Sequence, residues 1–325
     1  MPKVTMVEAI NLAHMWEMAQ DPAVVVLGED VGLNGGVFRA TVGLQQRFGS
    51  ERVQDAPLAE GLIAGAAIGM AAQGLKPVIE IQFMGFIYPA LDQIANHMAR
   101  LRNRTRGRLS CPVVLRVPHG GGIHAPEHHC ESLEALLCHH AGLRVVCPSS
   151  PQRAYGLLLA AIRDPDPVMF LEPTRLYRYA KQDVNDDGQS LPLGQCFRLR
   201  EGTDVTLLSW GAMTIETLKA AEQLAAEKIH CDVLDVASLS PIDFESILDS
   251  VVKTGRLVIV HEAARHCGVG AEIAATVTEH ALYDLLAPVR RVTGYDTIMP
   301  LYRLEHDYIP GVERIMDTVR ATMAD

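Results

Sequence analysis

Two kinds of apolar pattern alternate along the chain. In one, Val, Ile and Leu crowd into short unbroken runs; in the other, apolar residues return every three or four positions. The first pattern predicts strands buried on both faces and the second predicts helices. Residues 5–20 read as a helix and 24–28 (VVVLG) as a strand. Helix 58–73 is followed by strand 77–83, and helix 86–102 by strand 112–117. Strand 144–147, helix 152–162 and strand 168–172 continue the series. Such alternation predicts a parallel sheet covered by helices on both faces, an α/β class.

The pattern breaks at 181–192 (KQDVNDDGQSLP), which is polar, acidic and aperiodic and reads as a linker. It resumes with strand 205–209, helix 213–226, strand 231–236, helix 244–252, strand 257–260 and helix 270–280. A last amphipathic helix covers 311–323. Two α/β domains follow, 1–180 and 193–325. The length of 325 residues agrees with two domains of roughly 100–200 residues each.

Composition then narrows the function classes. Apolar residues at 48% and charged residues at 21% supply a sizeable core. A net charge of −10 argues against a broad surface for nucleic acid or anionic membrane, which needs clustered positive charge. The longest apolar tract, 61–72, is shorter than the ~18 residues of a membrane helix, and the N-terminus lacks the apolar core of a signal peptide. Seven cysteines without a C-x-x-C pair read as reduced thiols. The expected location is the cytoplasm, or the mitochondrial matrix if a presequence has been removed.

Several chemical signatures fail. There is no G-x-x-x-x-G-K-[ST] loop and no G-x-S-x-G elbow. His261-Glu262 misses the H-E-x-x-H zinc pattern, and His266, five residues on, lies about 140° away if the segment is helical. Gly268-Val-Gly270 lacks the third glycine of a dinucleotide loop and reads as close helix–strand packing. The run of Arg100, Arg102, Arg104, Arg106 and Arg108 reads either as a solvated helix end or as a face for an acidic partner or phosphate.

Three places carry candidate chemistry. Glu29 ends VVVLGE at the carboxyl edge of a predicted parallel strand, where open α/β sheets bind ligands. Glu60 falls in the first turn of a Gly/Ala-rich helix, where the helix dipole alone favours a carboxylate. Segment 118–134 (PHGGGIHAPEHHCESLE) joins three glycines to His124, Glu127, His128, His129 and Cys130. It is open to three readings: proton transfer by histidine, a metal site, or a polar surface loop.

At these residues the chain resembles the beta subunit of the first, decarboxylating component of 2-oxo acid dehydrogenase complexes, enzymes that use thiamine diphosphate. The resemblance spans nearly the whole sequence. It is carried by LGEDVGLNGGVFRAT, RVQDAPLAEGLIAGAAIGMAAQGLKPVIEIQF, GGGIHAPEHHCESLE, IRDPDPVMFLEP, TGRLVIVHEA, RVTGYDTIMP and YIP. It implies a pyrimidine-binding parallel-sheet domain and a smaller domain of the transketolase C-terminal type. Glu60 matches the glutamate that hydrogen-bonds the pyrimidine N1′, and Glu29 a second acidic residue near the cofactor. Leu58, Gln82 and Phe86 match positions around the pyrimidine ring, and His129 the active-site histidine. Cys130 stands where the family commonly has serine, and His128 is an extra histidine. Val113, Ala161, Asp164 and Asp166 match a potassium site built largely from backbone oxygens.

The implied reaction is oxidative decarboxylation of a 2-oxo acid, with the acyl group passed to the lipoyl group of an acyltransferase core. Pyruvate, branched-chain 2-oxo acids and acetoin-type substrates are all used by this architecture. The Gly-Asp-Gly segment that holds Mg²⁺ and diphosphate in thiamine diphosphate enzymes is missing. The resemblance therefore implies an alpha subunit that supplies it, in an α₂β₂ heterotetramer. Two other readings are a fragment of a single-chain transketolase-like or deoxyxylulose-phosphate synthase enzyme, and a non-catalytic scaffold chain docking the acyltransferase.

Overall fold

A computed structural model describes residues 3–325. These residues form two compact units, each built on its own sheet. The first is the chain through His119 together with Leu136–Leu193; the second is Gly120–Ala135 together with Gly194–Asp325.

The first unit contributes six parallel strands, in the order Arg144–Val146, Val168–Pro173, Val114–His119, Lys76–Glu80, Val24–Gly28 and Val53–Asp55. Every residue of Val24–Gly28, Val114–His119 and Val168–Pro173 is buried, as runs covered on both faces must be. The helix Met6–Gln20 begins at a reciprocal cap. The Glu8 amide donates to Thr5 Oγ1, and the Thr5 amide donates to Glu8 Oε2 at 2.7 Å. Ser150 caps Pro151–Arg163, whose proline stands in the first turn, where no amide is needed.

The structure corrects the prediction of one helix over 86–102. Pro89 interrupts it, and the segment becomes a 3₁₀ stretch at Met84–Ala90, a π-helical stretch at Gln93–Met98 and one α-turn at Leu101–Arg104. Residues 181–192, read as a linker, run along the first unit. Gln182–Asp183 pairs antiparallel with Lys3–Val4, Val184 is buried, and the Tyr155 hydroxyl donates to Asp186 at 2.9 Å.

The second unit holds a five-stranded sheet in the order Arg290–Gly294, Leu257–Ala264, Val205–Ser209, Cys231–Asp235 and Phe197–Arg200. All neighbours are parallel except the last pair. The helices Met213–Ala226, Phe244–Thr254, Val269–Ala281 and Val312–Ala324 complete the layers. His261 lies on a strand, not on the helix imagined for it; it is buried and stacked on Trp210 with centroids 5.2 Å apart. Burial lowers its pKa to about 4. A Cβ on Gly268 or Gly270 would sit 2.9 or 2.8 Å from its ring, so these glycines make room for an imidazole. No helix among the described residues is long and apolar enough to cross a membrane.

Candidate active site

The strand register in the first unit gathers acidic groups at one edge of the sheet. Gly28 lies beside both Asp55 and Glu80, and Glu29 leaves the sheet there. Glu29 is buried, and its Oε1 has no hydrogen-bond partner among the described residues. Its pKa is raised, first by burial and then by the charges of Glu60, Asp30 and Glu80. Glu60 is half-buried and opens the helix Glu60–Ala72, whose N-cap Ala59 offers no side-chain hydrogen bond. The structure therefore brings Glu29 and Glu60 within electrostatic reach of each other. Neighbouring carboxylates of this kind can hold and exchange a proton.

Under that edge lies a charged network that the sequence reading missed. The buried Arg116 donates from Nε and Nη2 to Glu172 at 2.7 and 2.9 Å, and from Nη1 to Glu80 at 2.8 Å. The Tyr177 hydroxyl donates to Glu172 as well. Burial pushes the Glu80 carboxyl above its ordinary range, while Arg116 opposes the shift. The signal was one charged residue inside each of three apolar runs: PVIEI, VVLRV and MFLEP.

The residues expected around a pyrimidine ring have distinct surroundings. Leu58, two residues before Glu60, is 82% exposed. Gln82 and Phe86 are half-buried just beyond the Lys76–Glu80 strand. Phe86 meets Phe83 edge-on at 5.6 Å, and Phe83 meets Phe38 at 5.4 Å.

His129 belongs to the second unit. It is half-buried, its Nδ1 3.0 Å from the Glu127 carbonyl, while His128 is exposed with a left-handed backbone (φ 69°). A carbonyl partner favours the tautomer that carries its proton on Nδ1. Cys130 is buried and points its thiol toward the Ala125 carbonyl at 3.6 Å. Burial, with Glu305 and Glu262 nearby, pushes that thiol up to about 11.

Val113, Ala161, Asp164 and Asp166 sit around the start of the Val168–Pro173 strand. The Val113 carbonyl accepts from the Val168 amide at 2.9 Å. Asp164 is ion-paired to Arg144 at 2.9 Å and Asp166 to Arg102 at 2.5 Å. Both carboxylates are thus committed to arginines.

Comparison with known proteins places this geometry. The family model for the transketolase pyrimidine binding domain matches residues 2–180, and that for the transketolase C-terminal domain matches 194–315. A solved split gene transketolase, an inactive beta4 tetramer, shares the fold with a TM-score of 0.80 at 24% identity, over 99% of each chain. Fold and family models together define a protein of the transketolase type. Among full-length relatives, the pyruvate dehydrogenase E1 component subunit beta of Acholeplasma laidlawii is 49% identical over 98% of this chain and 97% of its own. Those of Bacillus subtilis (strain 168) and Staphylococcus epidermidis are 45% and 46% identical over 99% of both chains. The chain belongs to the E1 beta subunits of the 2-oxo acid dehydrogenases and is a component of that enzyme.

Proposed function

We propose that this chain supplies the aminopyrimidine half of a thiamine diphosphate pocket in a pyruvate dehydrogenase. The supporting observation is the Glu29–Glu60 pair, with one buried carboxylate oxygen lacking a partner. Such an oxygen calls for a polar ligand. The chemistry that thiamine diphosphate supplies is a carbon nucleophile and an electron sink for decarboxylation. Glu60 would hydrogen-bond the pyrimidine N1′ and exchange a proton with it, and Glu29 would keep a second acidic group at the same edge. Leu58, Gln82 and Phe86 would line the ring, with Phe86 supplying an aromatic side chain. His129 holds or moves a proton at Nε2 beside the 2-oxo acid. Pyruvate is proposed as the substrate because the relatives at 44–49% identity carry its name.

The diphosphate and its Mg²⁺ are assigned to an alpha subunit, since this sequence has no Gly-Asp-Gly segment. The working assembly is then an α₂β₂ heterotetramer that hands its acyl group to the lipoyl group of an acyltransferase core. A potassium ion is proposed at the carbonyls near Val113, Ala161, Asp164 and Asp166. Cytoplasmic placement is proposed from the bacterial origin of the relatives.

The test is decarboxylation by the chain assembled with its alpha subunit. The expected kcat/KM is higher for pyruvate than for 3-methyl-2-oxobutanoate, and Glu60→Ala should cut kcat by roughly 10²-fold or more. Near-normal turnover in Glu60→Ala refutes the assignment of Glu60.

A further inference from the structure

We propose that Glu262 and Glu305 are positioning residues for the loop that carries His129. The proposal rests on the reading of His129 given above. All of the geometry lies within the second unit.

The loop is tied at its base, where the Gly120 amide donates to the Glu131 carbonyl at 3.0 Å. Its glycine-rich half then lies on two buried carboxylates. The Gly121 amide donates to Glu262 Oε1, and the Gly122 amide to Glu305 Oε1 at 2.7 Å. The His124 amide donates to Glu305 Oε2 at 3.3 Å, so Glu305 spans two points of the loop. Glu262 is 6% exposed and Glu305 1%. Carboxyl oxygens so deeply placed need hydrogen-bond donors, and backbone amides provide them. His124 Nε2 lies 3.6 Å from Glu305 Oε2.

The glycines follow from this arrangement. Gly120 has φ +77°, and a Cβ there would lie 2.9 Å from Glu262 Oε1. A Cβ on Gly121 would lie 2.8 Å from Met299 Cε and 3.2 Å from Glu305 Oε1. At 120 and 121 a side chain would meet these acids or Met299, and glycine lets the backbone approach them closely. The second half of the loop is a tight turn, in which the His129 amide donates to the Pro126 carbonyl at 3.2 Å. The imidazole is thus carried on a turn that follows a segment, residues 121–124, held by Glu262 and Glu305. Glu262 comes from an interior strand and Glu305 from the short helix Glu305–Tyr308.

The test uses Glu305→Gln, Glu262→Gln, His129→Ala and the Glu305→Gln/His129→Ala double variant, each assembled with the alpha subunit. Glutamine keeps the shape but turns one acceptor into a donor, so one of the two amides on Glu305 loses its partner. Amide hydrogen exchange over 121–124 should speed up at least about 10-fold in Glu305→Gln, and less in Glu262→Gln, which keeps one acceptor for Gly121. kcat should fall about 10-fold in Glu305→Gln with cofactor affinity unchanged, and the double variant should match His129→Ala alone. Unchanged exchange in both glutamine variants overturns the clamp. Losses that multiply in the double variant overturn the claim that Glu305 acts through His129. Wild-type turnover in His129→Ala overturns the reading of His129 itself, which the exchange measurement does not depend on.

Discussion

Glu29 carries a carboxyl group that prefers its proton more strongly in the fold than in the open chain, because burial and the Glu60 charge both disfavour ionisation. Between the ordinary glutamate pKa of about 4.5 and the higher folded value, the folded state therefore binds more protons. Any stability linked to this group is present below that window and is lost as pH rises through it. Glu29→Gln should accordingly unfold at a higher temperature than the parent chain near pH 8, and the gain should vanish near pH 4. A thermal melt across pH on the cofactor-free chain reads this out; a gain that grows on acidification would contradict it. At this scale the sequence was partly legible. Glu29 and Glu60 stood out because each falls at the end or the start of an apolar element. Arg116, Glu80 and Glu172 did not, since a charge inside an apolar run has no meaning until register shows that the strands are neighbours.

Elements were legible where the apolar run was long and lost where it was short or charged. Val205–Ser209 and Met213–Ala226 match the pattern end to end. The strands Val53–Asp55, Phe197–Arg200 and Arg290–Gly294 were missed; they span three to five residues and carry Asp or Arg in their own runs. The helix Glu60–Ala72 buries Ile63, Ala64, Ala67 and Ala71 and leaves Gly69 exposed, with nothing within 4 Å of a Cβ built there. Leu62 is also exposed. An exposed face with a glycine at its centre suits a close-packed partner helix. Gly69→Gln should stabilise this chain by roughly 0.5–1 kcal/mol, as a helix former replacing glycine. It should also weaken assembly with the alpha subunit. Sedimentation of the mixed chains measures the second effect, and full assembly of the variant would exclude this face as the contact.

For the whole molecule, the two-domain α/β class follows from the alternation of patterns, whereas the assignment of segment 120–135 does not. Periodicity reports which face of an element is apolar; it says nothing about which sheet a loop will lie against. If an alpha subunit holds the diphosphate, calorimetry on this chain alone should show weak binding of thiamine diphosphate, tightening when the alpha subunit is added. Strong binding to the isolated chain would mean that the pocket is already whole. The sharing of labour between chains is then a thermodynamic statement, since either part without the other forfeits most of the binding free energy.

The glycine-rich stretch is continuous in sequence with the first half of the polypeptide, yet the acids that fix it are encoded some 140 to 185 codons later. A gene severed near residue 193 would yield an N-terminal product with the histidine present and its moorings gone. On the proposed clamp, a C-terminal half without Glu262 and Glu305 would loosen the histidine loop of the N-terminal half without altering a single one of its bases. Recombination near residue 193 would, on that proposal, have to bring both acids with it.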